Sequence, residues 1–269
     1  MHTTLADLER YYDTAPRATS DAEEVGPFTL FRSRLTWPYY ARPRLGLDRA
    51  ISADDVRALL ARQDELGLPR TVEWVHQTTP SLLGAARQAG LDVHEAPLLL
   101  LAEPVTASAP PGVDLRLLDA DDPLVPEATA VAHIAFAHGG TATGVEGVAE
   151  RDAQLASKDN AARADAVRSM LRAGTSTMGV AYDTTGVLGG GVVASGSFNQ
   201  RGDTSEIVGV ATLPSARRRG LAAALTALLV SEMHAVGVRT VFLSADSEDV
   251  ARVYRRIGFT DVGTACIVE

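Results

Sequence analysis

The chain has a single cysteine, Cys266, in 269 residues, which excludes an intramolecular disulfide and any multi-cysteine metal site. It also has no basic surplus. Its 34 acidic residues outnumber 25 Lys and Arg, for a net charge of −9. A general nucleic-acid role is therefore disfavoured, because counterion release needs an extended basic face. The start, Met1-His2-Thr3-Thr4-Leu5-Ala6-Asp7, lacks a basic region followed by an apolar core, so no secretory signal is visible. Apolar runs such as Leu221 to Val230 are too short to span a bilayer. A cytoplasmic protein with no membrane partner is expected. What remains is 46% hydrophobic and 22% charged, the composition of a soluble globular protein. Its length suits one large domain or two ordinary ones.

One stretch organises the rest. From Glu206 through Val210, Ala211 and Thr212 an apolar β-type run ends at Pro214, passes Arg217-Arg218-Arg219-Gly220 and enters a helix at Leu221-Ala222. Three arginines in a first helical turn oppose the helix dipole, whose N-terminal end is already positive. An anion bound there by free N–H groups and guanidinium charge makes the arrangement favourable. A solvated basic turn is the alternative.

Along the chain, Leu5 to Tyr12 is a short amphipathic segment, and a polar run follows from Thr14 to Glu24. Gly26 to Phe31 and Trp37 to Pro43 read as extended, with prolines confining the second to an edge. Ser52-Ala53-Asp54-Asp55 caps a helix carrying Val56, Leu59, Leu60 and Leu66. Thr71 to Val75 is a strand, Pro80 to Gln88 a helix, and Val93 to Ala102 extended. The run Ala107-Ser108-Ala109-Pro110-Pro111-Gly112 marks a boundary between domains at 1–108 and 109–269. Val113 to Leu118 then reads as a strand, Glu127 to Ala137 as a helix, and Val145 to Leu171 as a long helical region. Thr177 to Tyr182 and Val187 to Ser195 are strands joined by a hairpin turn. Gly189-Gly190-Gly191 falls inside the second; no Gly-Lys-Ser/Thr follows it, so a bulged strand is expected rather than a phosphate loop. The helix from Leu221 ends at Val236-Gly237, Thr240 to Ala245 is a strand, Ser247 caps a helix to Ile257, and Phe259 to Val268 is extended.

The second half resembles the GNAT superfamily of acyl-CoA-dependent N-acetyltransferases. The family's loop pattern, Arg or Gln, two residues, Gly, one residue, Gly or Ala, is matched by Arg217, Gly220 and Ala222. The segment Ser247 to Phe259 is similar to its C-terminal helix, with Tyr254 and a closing Gly258-Phe259. The resemblance implies an α/β fold, a mixed central sheet flanked by helices, over roughly residues 112–269. It implies acetyl-CoA as co-substrate, with no metal, and an amine acceptor. Val210, Ala211 and Thr212 would pair with the pantetheine arm, and Gly209 fits a bulge opening the gap for it. The amides of Arg217, Arg218, Arg219, Gly220, Leu221 and Ala222 would hold the pyrophosphate. Tyr254 would protonate the departing thiolate, and Glu206 matches the position of a general base in some members. Ser247 stands where an asparagine is common, at the edge of the cofactor site.

His133 and His138 lie on different helix faces and are expected to be structural or at the surface. Cys266 is expected to pack rather than react. Residues 26–106 look like a smaller, degenerate GNAT-like copy, as in tandem members. There, acids occupy the helix start that arginines hold in the second half, so no CoA binding is expected. The alternative to catalysis is an acyl-CoA-binding sensor. A nucleotide-phosphate enzyme is disfavoured because its lysine and metal ligands are lacking. A homodimer is left open.

Overall fold

The computed structural model describes residues 2–35 and 39–268, without the side chains of residues 2–4. Trp37 and Pro38 of the expected extended segment lie outside the described residues. The chain divides into two compact units.

The first unit comprises residues up to Leu99 together with Ser244–Glu248 and Asp261–Glu269. It opens on a helix, α1 (His2–Arg17), longer than the amphipathic segment expected. Strands β1 (Ser20–Val25), β2 (Phe28–Ser33) and β3 (Arg42–Pro43) form a small antiparallel sheet. The polar run was therefore a strand in part: β1 buries little of its own side-chain surface and is held by its ladder to β2. Helix α2 (Ala53–Glu65) buries Val56, Leu59 and Leu60, as its spacing dictates. Strand β4 (Val72–Val75) and helix α3 (Ser81–Gln88) follow. Strand β5 (His94–Leu101) begins in this unit. Trp74 and Phe28 centre the core. Arg42 is buried there, with a guanidinium nitrogen 2.8 Å from Glu73 and the Tyr12 ring centroid 3.8 Å away. Pairing and cation–π contact together offset the desolvation of that charge.

The second unit comprises Leu100–Leu243 and Asp249–Thr260. Its strands β6 (Val113–Leu118), β7 (Thr177–Asp183), β8 (Gly191–Arg201) and β9 (Thr204–Thr212) are successively antiparallel. Strand β10 (Thr240–Ser244) pairs parallel to β9, so the sheet is mixed as expected. Helix α4 (Val125–Ala137) lies on one face, where Ser195 Oγ donates to the Ala128 carbonyl at 3.0 Å. The long helical region is two helices, α5 (Val148–Leu155) and α6 (Lys158–Arg172), the second capped by Ser157. Helix α7 (Leu221–Ala235) covers the other face. A Cβ added at Gly179 or Gly196 would come within 3.2 or 3.4 Å of Leu225 or Leu229 of α7. These glycines thus let α7 lie close against the strands. Helix α8 (Glu248–Arg255) and strand β11 (Phe259–Val268) complete the chain. The end of β11 belongs to the first unit, antiparallel to β4.

The triple glycine is a correction. Gly189 and Gly190 precede β8, and Gly191 opens it; all three have positive φ. The strand expected from Val187 starts later and runs on to Arg201. The cause is Asp183, 2% exposed, whose carboxylate gathers the turn. It accepts from the backbone N–H groups of Thr185, Gly186, Leu188 and Gly190 and from the Thr185 hydroxyl. The bulge in this hairpin lies instead opposite Ala181–Tyr182. Burial works against the Asp183 charge, but the Thr185, Leu188 and Gly190 donors outweigh it and hold its pKa at about 2, below the ordinary 3.8. Its folded pKa is depressed, so its stabilisation is present above about pH 4 and is lost as pH falls toward 2. Asp183→Asn is expected to destabilise the protein by roughly 2 kcal/mol at neutral pH. Urea unfolding across pH checks this: a difference from wild type that persists undiminished at pH 2 would rule out the charge as its source.

Candidate active site

The pairing of β10 with β9 covers only Thr204, Ser205 and Glu206, facing Thr240, Val241 and Phe242. Strand β9 runs on for six residues beyond that rung, to Thr212. On its other side, Ser195 pairs with Ala211 and Ser197 with Val208, so β9 has one residue more than β8 in this interval. Gly209, at φ +65°, supplies the bulge, and open space surrounds its missing Cβ. A left-handed glycine in a two-against-one step bends and twists a strand locally. The sequence expectation of a bulge at Gly209 is met in the backbone. The second half of β9, including Val210, Ala211 and Thr212, therefore runs beyond its ladder with β10, and Gly209 and Val210 drop out of register with β8.

After Thr212 the chain makes a 3-10 turn, Pro214–Ala216, extends through Arg217, and turns twice. Arg218 has φ +65° and Gly220 φ +78°. A left-handed arginine costs about 1 kcal/mol or more, so the surroundings must hold it. Gly220 is the N-cap of α7 and brings no side-chain acceptor to the helix start. The amides of Leu221 and Ala222 are among those that an α-helix leaves without intrahelical partners. Arg218 and Arg219 are exposed. The result is a turn with two left-handed residues at a positive helix end, with two exposed arginines in it, an arrangement that suits a phosphate.

The side chain of Arg217 is engaged elsewhere. Its Nε donates to the Thr212 carbonyl at 3.2 Å and its Nη1 to Ala142 at 3.0 Å. Its Nη2 donates to Ala135 at 3.0 Å and to His138 at 2.7 Å. Burial lowers its pKa, and the Glu146 charge opposes that shift. Nothing in the sequence signals these partners, because all four are backbone carbonyls.

Glu206 occupies the last rung of β9 shared with β10, half-buried between Asn199 of β8 and Phe242. Tyr254 lies on α8 with its ring buried, edge-on to Phe259 at a centroid distance of 5.7 Å. Burial pushes its phenol pKa well up, so it holds its proton throughout the neutral range. Ser247 is half-buried immediately before α8. His133 is exposed, and His138 Nε2 stands 3.5 Å from Glu146. Cys266 is fully buried in the first unit, its thiol pushed up to about 12 by burial and by the charge of Glu95. Among the described residues, no group of three or more His, Cys, Asp or Glu could hold a metal ion, and no helix is long and apolar enough to cross a membrane.

The equivalent helix start in the first unit is closed. Ser52 Oγ accepts from the Asp55 N–H, and the Asp55 carboxylate accepts from the Ser52 N–H and pairs with Arg49. That capping box uses the amides and places negative charge where α7 has neither.

Residues 150–259 match the Acetyltransferase (GNAT) family. No curated protein matches the sequence. Among solved structures, a GCN5-related N-acetyltransferase from Kribbella flavida superposes with a TM-score of 0.68 at 19% identity, covering 98% of this chain and 95% of its own. A tandem GNAT protein from the clavulanic acid biosynthesis pathway gives a TM-score of 0.57 at 16% identity, covering 90% of this chain and 78% of its own. A GCN5-related N-acetyltransferase-like protein from Streptococcus suis also gives 0.57, at 14% identity, covering 100% of this chain and 99% of its own. At such identities the likeness is one of fold, and it extends over both halves of the chain.

Proposed function

From a chain that carries a GNAT acetyltransferase domain, and so an acyltransferase, we propose an N-acetyltransferase that uses acetyl-CoA to acetylate a primary amine of a small molecule or peptide. The observation that carries this reading is the continuous run from the half of β9 that extends beyond its ladder with β10, while still paired to β8, into the Arg218–Gly220 turn and the start of α7, which has no side-chain cap. The strand would take the pantetheine amides in the manner of an added strand. The turn amides from Arg218 to Ala222 would take the pyrophosphate, with Arg218 and Arg219 supplying charge; the Arg217 N–H, expected among them, instead donates to the Pro214 carbonyl at 3.4 Å.

In this reading both substrates bind before chemistry. The amine, losing its extra proton to Glu206 directly or through water, attacks the thioester carbonyl carbon. The Val210 N–H would stabilise the oxyanion that forms. As the intermediate collapses, the C–S bond breaks, the new C–N bond remains, and Tyr254 gives its proton to the CoA thiolate; the proton that the nitrogen sheds on becoming an amide would pass, directly or through water, to the Tyr254 phenolate and restore it. Ser247, just ahead of α8, would border the cofactor.

The test is incubation with acetyl-CoA and a panel of amines, following CoA release and the amide product by mass spectrometry. Product from at least one amine is expected. Tight acetyl-CoA binding with no turnover on any amine would favour an acyl-CoA sensor instead. Because the first half closes its helix start with Ser52 and Asp55, calorimetric titration is expected to give one acetyl-CoA per chain. A stoichiometry of two would contradict the assignment of the first half as non-binding.

A further inference from the structure

The side chain of Arg217 reaches three parts of the second unit at once. It bonds the end of β9 through Thr212, the C-terminal end of α4 through Ala135 and His138, and the following segment through Ala142. A guanidinium suits this task because its planar fork presents five donors in fixed directions, and carbonyls at a helix C-terminus favour a cation. The segment from 138 to 147 is bound besides to the 3-10 turn Pro214–Ala216, just ahead of Arg217, by two backbone bonds. Gly144 N–H donates to Pro214 at 3.1 Å, and Ser215 N–H donates to Glu146 at 3.0 Å. Close packing adds to these, since a Cβ at Gly147 would meet Ser215 Oγ at 2.6 Å. The next residue, Arg218, holds a left-handed conformation that its surroundings must enforce.

We infer that Arg217 is a positioning residue, a clasp that makes the 138–147 segment and the 217–220 turn one coupled unit, and that its charge does not serve as a phosphate ligand. The turn would then be preorganised for its anion from the α4 side, and ligand binding at the turn would be felt in the segment. The ligand part of this inference rests on the acetyl-CoA reading; the clasp itself does not.

Hydrogen exchange on the full chain, with and without CoA, tests it in wild type, Arg217→Ala, Arg217→Lys and Arg219→Ala. Without ligand, both Arg217 variants are expected to exchange about ten-fold faster across 138–147, with β7 and β8 unchanged. Lysine keeps the charge but cannot span the carbonyls, so it should not rescue. Arg219→Ala should leave that segment as in wild type. With CoA, wild type should gain protection across 138–147, and the Arg217 variants should not. CoA affinity should fall about ten-fold in Arg217→Lys with the salt dependence of binding unchanged, whereas Arg219→Ala should flatten it. Unchanged exchange across 138–147 in both Arg217 variants overturns the clasp. So does a salt dependence flattened in Arg217→Ala as much as in Arg219→Ala. If wild type binds no CoA, the acetyl-CoA reading fails, and the ligand-free exchange alone decides the clasp.

Discussion

Tyr254→Phe is expected to lower kcat by roughly 10²–10³ while leaving acetyl-CoA affinity within about two-fold. The substitution removes one oxygen and keeps the ring that packs against Phe259, so folding should survive. A phenol made less acidic by burial stays protonated in the resting enzyme. Transfer to a thiolate, ordinarily with a conjugate acid near 8.5, is uphill for such a phenol, so it would need the bound cofactor and its surroundings to stabilise the phenolate as the C–S bond breaks. The same shift sets a sign for the pH profile. Because the folded pKa lies above the ordinary value of 10, phenol ionisation should cause no loss of rate below pH 10 in wild type. Pre-steady-state measurement of the acyl-transfer step in both forms decides the matter, and equal rates would remove Tyr254 from the chemistry.

Gly220→Asp is expected to weaken acetyl-CoA binding by about a hundred-fold or more, some 2.7 kcal/mol. The cause is charge: the carboxylate would stand at the helix start and repel the pyrophosphate. A side chain at φ +78° costs about 1 kcal/mol in the free and bound states alike, so it lowers stability and not affinity, although aspartate is among the residues that tolerate this region best. Open space surrounds the Gly220 Cβ position, so the free protein should keep its fold, with a melting temperature lower by about 2–4 °C. Gly220→Ala should lose less, since it hinders close approach without adding charge. Calorimetry with unchanged acetyl-CoA affinity in a folded Gly220→Asp protein would remove the turn from the cofactor site.

Much of the fold could be read from the residues because local signals agreed with the tertiary outcome. Ser52 and Asp55 form the capping box their spacing implies, and the helix from Leu221 ends at Val236-Gly237. Strand β1 was hidden because Ser20–Val25 is polar and earns its place through backbone pairing with β2. The glycine turn reads as strand in the sequence because the decisive group, the Asp183 carboxylate, acts on amides up to seven residues away. At the candidate site, a bulge at Gly209 fitted the gap that the family resemblance implied, and the pairing of β8 with β9 contains it. The division of labour among three adjacent arginines did not follow, because the carbonyls engaging Arg217 from α4 and its following loop lie 75 to 82 residues earlier. A helix-end pattern specifies where backbone amides lie open; it carries no information about which side chain is drawn inward.

The burial of Cys266 has a practical consequence. With its thiol enclosed and raised to about 12, the folded chain should give no background with thiol-reactive dyes at neutral pH. Every reactive thiol in an assay mixture of acetyl-CoA, a thiol-free amine and this protein would then be product. Colour could be counted continuously as turnovers, and a slow burst of one equivalent per chain would report unfolding instead of catalysis.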